Sequence, residues 1–98
     1  MPESSALWRL YSFEYHLDIW ISLEKPEQEL INEALSWILS RADHPYHGVA
    51  RVPGFDNLWH GRIPRTSFGG TMVVCSYFIS EREHAVRCNS IATLTRPG

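Results

Sequence analysis

Lysine is almost missing from this chain: Lys25 is the only one in 98 residues, and the other basic residues are all arginine. That excludes a polylysine patch of the kind that binds nucleic acid or membrane without specificity. Cysteine is scarce too. Cys75 and Cys88 rule out a disulfide-dense scaffold and fit no zinc-ligand spacing. No apolar run approaches the roughly 20 residues that cross a bilayer. The start, Met1 to Ser5, has no basic segment leading into an apolar one, so no secretory signal is expected. Gly-rich phosphate loops, His-Glu-x-x-His and Cys-x-x-Cys are all absent. These absences predict a cytoplasmic protein with two reduced, buried thiols, and neither metal nor cofactor nor membrane contact. What is present is an ordinary globular composition, 44% hydrophobic and 20% charged, which suits a single domain over 1–98.

Net charge is −2, but the two halves differ in sign. Up to residue 44, Arg9, Lys25 and Arg41 stand against eight acidic residues. From residue 45 onward, Arg51, Arg62, Arg65, Arg82, Arg87 and Arg96 stand against Asp56, Glu81 and Glu83. Arginine suits bidentate contact with phosphate or carboxylate. Two readings follow: acidic residues solvating a helix and arginines solvating a sheet, or a basic binding surface on the second half.

Alternation places Leu7, Arg9, Tyr11, Phe13 and Tyr15 on one face of a strand over 7–16. Leu17, Trp20 and Ile21 have helical spacing and predict a short helix over 17–23, although Asp18 to Ile21 also suits an extension of the strand. A helix from Pro26 to about Ala42 follows, with Leu30, Ile31, Ala34, Leu35 and Ile38 as its apolar stripe and Trp37 on its flank. Glu27 and Glu29 favour its positive end, and Pro45 stops it. Residues 45–57 form a Pro- and Gly-bearing connection. Three β-rich runs close the chain, Leu58–Ile63, Thr71–Ser80 and His84–Leu94, joined by turns at 66–70 and 80–83. The expected fold is α+β, with helical cover on one face of an antiparallel meander.

Few residues carry chemistry. His60 and Arg62 share a strand face, where an imidazole can serve as a base and a guanidinium can hold a phosphate; exposed solvating residues are the plain alternative. His44 and His47 offer two imidazoles but no third ligand close by. Tyr46, Phe55 and Trp59 either stack on bases or pack the connection onto the sheet.

Several segments resemble the RelE/ParE superfamily of bacterial toxins from type II toxin–antitoxin systems. Residues 11–23 resemble its opening strand running into a helix. Residues 28–42, followed by Pro45 and Gly48, resemble its second helix and exit. Gly54-Phe-Asp-Asn-Leu-Trp-His-Gly-Arg-Ile63 is similar to its Gly-to-Arg strand, and residues 70–79 and 85–94 resemble the last two strands. The resemblance implies the order β-α-α-β-β-β, with a helical hairpin on a small meander, and a cognate antitoxin as partner. It further implies one of two activities. The RelE-like branch cleaves mRNA on the ribosome by attack of a ribose 2′-OH on the neighbouring phosphate. The ParE-like branch inhibits gyrase without catalysis. A degenerate member serving as a small interaction domain is a third reading. Carried over by position, the site would comprise His60, Arg62, Arg65 and Arg96. Where the nuclease branch commonly has Tyr-Arg at the start of its third strand, this chain has Thr71-Met72.

Overall fold

The meander expected from the C-terminal alternation is present in the computed structural model, which describes residues 7–67 and 69–95. Arg96, one of the four candidate site residues, lies outside the described residues. The elements are β1 (Arg9–Tyr11), α1 (Phe13–Glu24), α2 (Gln28–Ser40), β2 (Ala50–Arg51), β3 (Leu58–Arg62), β4 (Thr71–Ser80) and β5 (Ala85–Thr95). They form one five-stranded sheet in the order β1-β5-β4-β3-β2. The β3–β4 and β4–β5 pairs are antiparallel. β1 joins the edge parallel to β5, and the two-residue β2 adds the opposite edge. The architecture is α+β, two helices on one face of a mixed sheet.

The core explains which face the helices cover. Phe13, Leu17 and Trp20 of α1 and Ala34, Trp37 and Ile38 of α2 are buried against Val73, Cys75, Tyr77 and Ile79 of β4 and Val86, Cys88 and Ile91 of β5. The alternate residues of β4, Val74, Ser76 and Phe78, point the other way, as the two-residue period of a strand requires. Asn89 is the extra residue of a bulge, since Ser76 pairs with Ser90 and Tyr77 with Cys88. Both cysteines are buried and free. The neighbouring Cys88 and burial push the Cys75 thiol well up, so it stays protonated and inert.

Two expectations need correction. The first strand does not reach His16: it ends at Tyr11, Ser12 turns with φ 67°, and the helix begins at Phe13. Phe13, Leu17 and Trp20 are spaced i, i+4, i+7, so a helix buries all three on one stripe, whereas a strand would split them between faces. In α2 the stripe is rotated from its expected position. Leu35 is 39% exposed, while Trp37 is buried at 9%. Ala34, Trp37, Ile38 and Arg41 form the inward i, i+3, i+4, i+7 set, because the indole fills volume that Leu35 cannot reach. Leu35→Ala should therefore lower stability by less than about 1 kcal/mol, the usual cost of an exposed substitution. Chemical denaturation showing a loss above roughly 2 kcal/mol would restore Leu35 to the core.

Gly61 shows how close the long connection comes to β3. A Cβ at this position would lie 2.7 Å from Val49 Cγ1 and 3.0 Å from Trp37 Cζ2. Only glycine lets the connection and the Trp37 ring press onto the strand here. Tyr46 packs edge-on against Trp59, with ring centroids 5.3 Å apart, and donates a hydrogen bond to the Glu81 carboxylate. Partial burial and that carboxylate push the Tyr46 phenol up to about 12. The connection is thus tied both to β3 and to the β4–β5 turn.

Candidate functional site

Among the described residues no helix covers the other face of the sheet, and the charged side chains that its strands place there are all basic. Register and alternation place Arg9 and Tyr11 of β1, Arg87 of β5, Ser76 and Phe78 of β4, and His60 and Arg62 of β3 on this face. Within these strands no carboxylate shares it. The chain as a whole is acidic, so the sign of this face is a matter of placement rather than composition.

Rows across the sheet define its geometry. Arg62 pairs with Val74, His60 with Ser76, and Leu58 with Phe78. Continuing onto β5, Val74 meets Ala92, Ser76 meets Ser90, and Phe78 meets Arg87, which in turn pairs with Tyr11. From His60 through Ser76 to Ser90 the row is polar, and Ala50 of β2 closes it at the other side. Ser76 and Ser90 share a hydrogen bond of 2.8 Å, and Asn89 Nδ2 donates to Ser76 Oγ at 3.1 Å. His60 and Arg62 line a shallow cleft of about 300 Å³ with Gly48, Val49 and Ala50. Among the described residues neither side chain has a hydrogen-bonding or ionic partner, so both are available to a ligand. An unpaired guanidinium two residues from an imidazole on one strand face can hold an anion and exchange a proton beside it.

Of the four expected site residues, the three that are described do not converge. His60 and Arg62 are together. Arg65, in the loop after β3, instead pairs with Glu33 of α2 at 2.9 Å, on the side of the helices. That exposed pair contributes little to stability, but it holds the guanidinium away from the bare face. Residues that the sequence did not single out complete the basic surface. The Arg87 guanidinium lies 5.0 Å from the Tyr11 ring centroid and that of Arg9 lies 5.8 Å from it. Alternation along β5 puts Arg87 on the outward side, a signal that could have found it. Placing Arg9 beside it needed the parallel β1–β5 pairing, which no local pattern announces.

Met72, at the expected Tyr-Arg position, pairs with Leu94 at the Arg62 end of the face. Met72 is buried, while Leu94 is half exposed. His44 and His47 lie in the connection, beside Trp8 and Tyr46 in an open cleft. Among the described residues no three His, Cys, Asp or Glu side chains gather as a metal site would require. No helix among them is long and apolar enough to cross a membrane.

No family model and no curated protein sequence matches this chain. Among solved structures it is similar to the E. coli toxin RelE, determined as a double arginine-to-alanine mutant in the free state. The TM-score is 0.61 at 11% identity, over 88% of this chain and 82% of that one. The likeness establishes a RelE-like fold.

Proposed function

We propose that the chain is the toxin of a type II toxin–antitoxin pair, neutralised by a cognate antitoxin protein and acting in the bacterial cytoplasm on RNA. The observation that carries this reading is the bare sheet face, with Arg9, His60, Arg62 and Arg87 on it and no carboxylate within its strands. In an acidic chain, such a face suits a polyanion. Arg62 holds a phosphate of an mRNA engaged on the ribosome. His60, two residues before it, takes the proton of the attacking 2′-OH as the new P–O2′ bond replaces the P–O5′ bond, leaving a 2′,3′-cyclic phosphate and a 5′-oxygen that takes up a proton from the imidazolium or from water. Negative charge building on the phosphate is stabilised by the guanidinium. Arg96 would add a further cation after β5. Arg65 serves this site only if its pairing with Glu33 is released.

A ParE-like inhibitor of a protein target such as gyrase is the second reading. Leu94, half exposed on β5 toward the Arg62 end of the sheet, favours it, because an exposed apolar side chain suits a protein surface better than a phosphate backbone.

Induction of the protein alone in a bacterial host separates these readings. The nuclease reading expects growth arrest with shortened transcripts, and Arg62→Ala should reduce cleavage at least tenfold while His60→Ala reduces cleavage more than binding. Arrest with full-length transcripts and inhibited supercoiling would replace it by the ParE-like reading. Unimpaired growth would contradict a toxin of either kind.

A further inference from the structure

We infer that a second pocket on the bare face, at its β4–β5 turn end, binds a guanine base. This inference rests on the RNA reading of that face and gives it a point of base recognition. The pocket has a volume of about 250 Å³, and Tyr11, Asn57, Phe78, Ser80, Glu83 and Arg87 are among its walls. A nucleobase fits a space of this size, below the roughly 300–1,000 Å³ of drug-sized sites.

Its walls offer three distinct chemistries. Phe78 sits mid-sheet yet is 38% exposed, and with Tyr11 it presents aromatic surface on which a base can stack. Arg87 is oriented by the Tyr11 ring, and its only hydrogen bond among the described residues is a long one to Ser12 Oγ at 3.5 Å. Most of its N–H groups are free. The backbone of Glu83 is anchored, its carbonyl accepting from Arg9 at 3.1 Å and its N–H donating to Ser80 Oγ at 3.2 Å. The carboxylate itself has no partner among the described residues. Asn57 is a wall and not a ligand, since its amide already donates to the Ile79 carbonyl and accepts from Trp59 Nε1.

An aromatic platform with one cation and one carboxylate matches guanine. O6 and N7 accept from a guanidinium, and N1–H and the N2 amino group donate to a carboxylate. Adenine presents an amino donor where guanine has O6, so it would face Arg87 with the wrong polarity. A simple phosphate would meet Arg87 but also Glu83, and it would leave the aromatic surface unused. The location suits a single strand that also reaches His60. Phe78 is two residues along β4 from Ser76, the partner of His60, a distance of about 7 Å at ~3.4 Å per residue.

The test is an amide NMR titration of the full chain with guanosine 5′-monophosphate, adenosine 5′-monophosphate and inorganic phosphate in parallel. Guanosine monophosphate should give saturable shifts at residues 78, 83 and 87, with adenosine monophosphate binding at least fivefold more weakly and phosphate leaving these signals in place. Phe78→Leu should weaken binding about tenfold, and Glu83→Gln should bring the two nucleotides within twofold of each other. Both variants change half-exposed or exposed side chains, and dispersed spectra will confirm that they fold. Absence of saturable shifts with guanosine monophosphate, or equal shifts with phosphate, would overturn the assignment. Binding of single-stranded RNA at Arg62 is measured separately. If RNA binds there while the pocket ignores guanine, the pocket assignment alone fails. If guanine binds the pocket while RNA does not bind the face, the pocket stands and the RNA reading falls.

Discussion

Trp20→Ala should destabilise the protein by about 3–5 kcal/mol, the range for truncating a buried Trp or Phe. Trp20 is 2% exposed and stands at the end of the Phe13/Leu17/Trp20 stripe by which α1 packs on the sheet. Its Nε1 donates to Thr93 Oγ1 at 2.9 Å, which fastens the helix to β5. Truncation removes the indole from a closely packed core and leaves the Thr93 hydroxyl without that donor. In a domain of this size each kcal/mol lowers the melting temperature by roughly 4–8 °C, and total stabilities are only about 5–15 kcal/mol. The variant should therefore melt at least roughly 12 °C below wild type. Urea unfolding read against wild type gives the number. A loss under roughly 1 kcal/mol would mean that α1 does not rely on this contact.

Arg41→Ala should be nearly as damaging, for a different reason. The side chain is 2% exposed, and among the described residues no carboxylate pairs with it. Its charge is held by what replaces water around it. Nε donates to the Trp37 carbonyl at 3.3 Å, and one terminal nitrogen donates to the His47 carbonyl at 2.7 Å and the Tyr77 hydroxyl at 3.2 Å. The other donates to Ser40 Oγ at 3.0 Å, and the guanidinium carbon lies 4.1 Å from the Trp37 ring centroid. Through these bonds one side chain joins the end of α2, the connection and the central strand. Hydrogen bonds to a charged group contribute about 1.5–3 kcal/mol each and do not add fully, so a loss of about 3–5 kcal/mol is expected. Arg41→Lys should recover less than half, because an ammonium lacks the planar fork. Burial raises the Tyr77 phenol while Arg41 pulls it down, so removing Arg41 should push it further up. Amide exchange at residues 44–48 should accelerate in Arg41→Ala even where the rest of the chain remains protected. Stability within about 1 kcal/mol of wild type would show that the connection is held by other contacts.

Elements with one strong periodicity were legible in the sequence. β3, β4 and β5 alternate over five to eleven residues, and α2 is bracketed by Pro26 and Pro45, so their existence and order could be read directly. The helix phase could not. Leu35 and Trp37 both lie close to the apolar arc, and only packing against β4 decides that the larger ring turns inward. The start of α1 was hidden because residues 7–15 fit a strand's alternation as well as a helix stripe, and Ser12 breaks the tie through a backbone angle rather than a side-chain pattern. Much of the site was legible on the same terms. His60 and Arg62 are two apart in an evident strand and Arg87 follows from the alternation of β5, whereas Arg9 comes to the same face only through the parallel pairing of β1 with the distant β5. Arg41 enters the sequence reading only as one of three positive charges in the first half, since nothing in the local sequence distinguishes a buried guanidinium from an exposed one.

The central claim is that the bare sheet face holds RNA through a few arginines. The most direct test is the affinity for a short single-stranded RNA as a function of salt, for wild type, Arg62→Ala and Arg87→Ala. Each phosphate contact releases condensed counterions, with a slope of about −0.7 in log K against log salt per contact on a single strand. The account predicts a steep wild-type slope that becomes shallower by about one contact in each variant, with an unchanged slope for Arg82→Ala in the β4–β5 turn. A wild-type affinity insensitive to salt, or slopes unaltered by Arg62→Ala and Arg87→Ala, would contradict it.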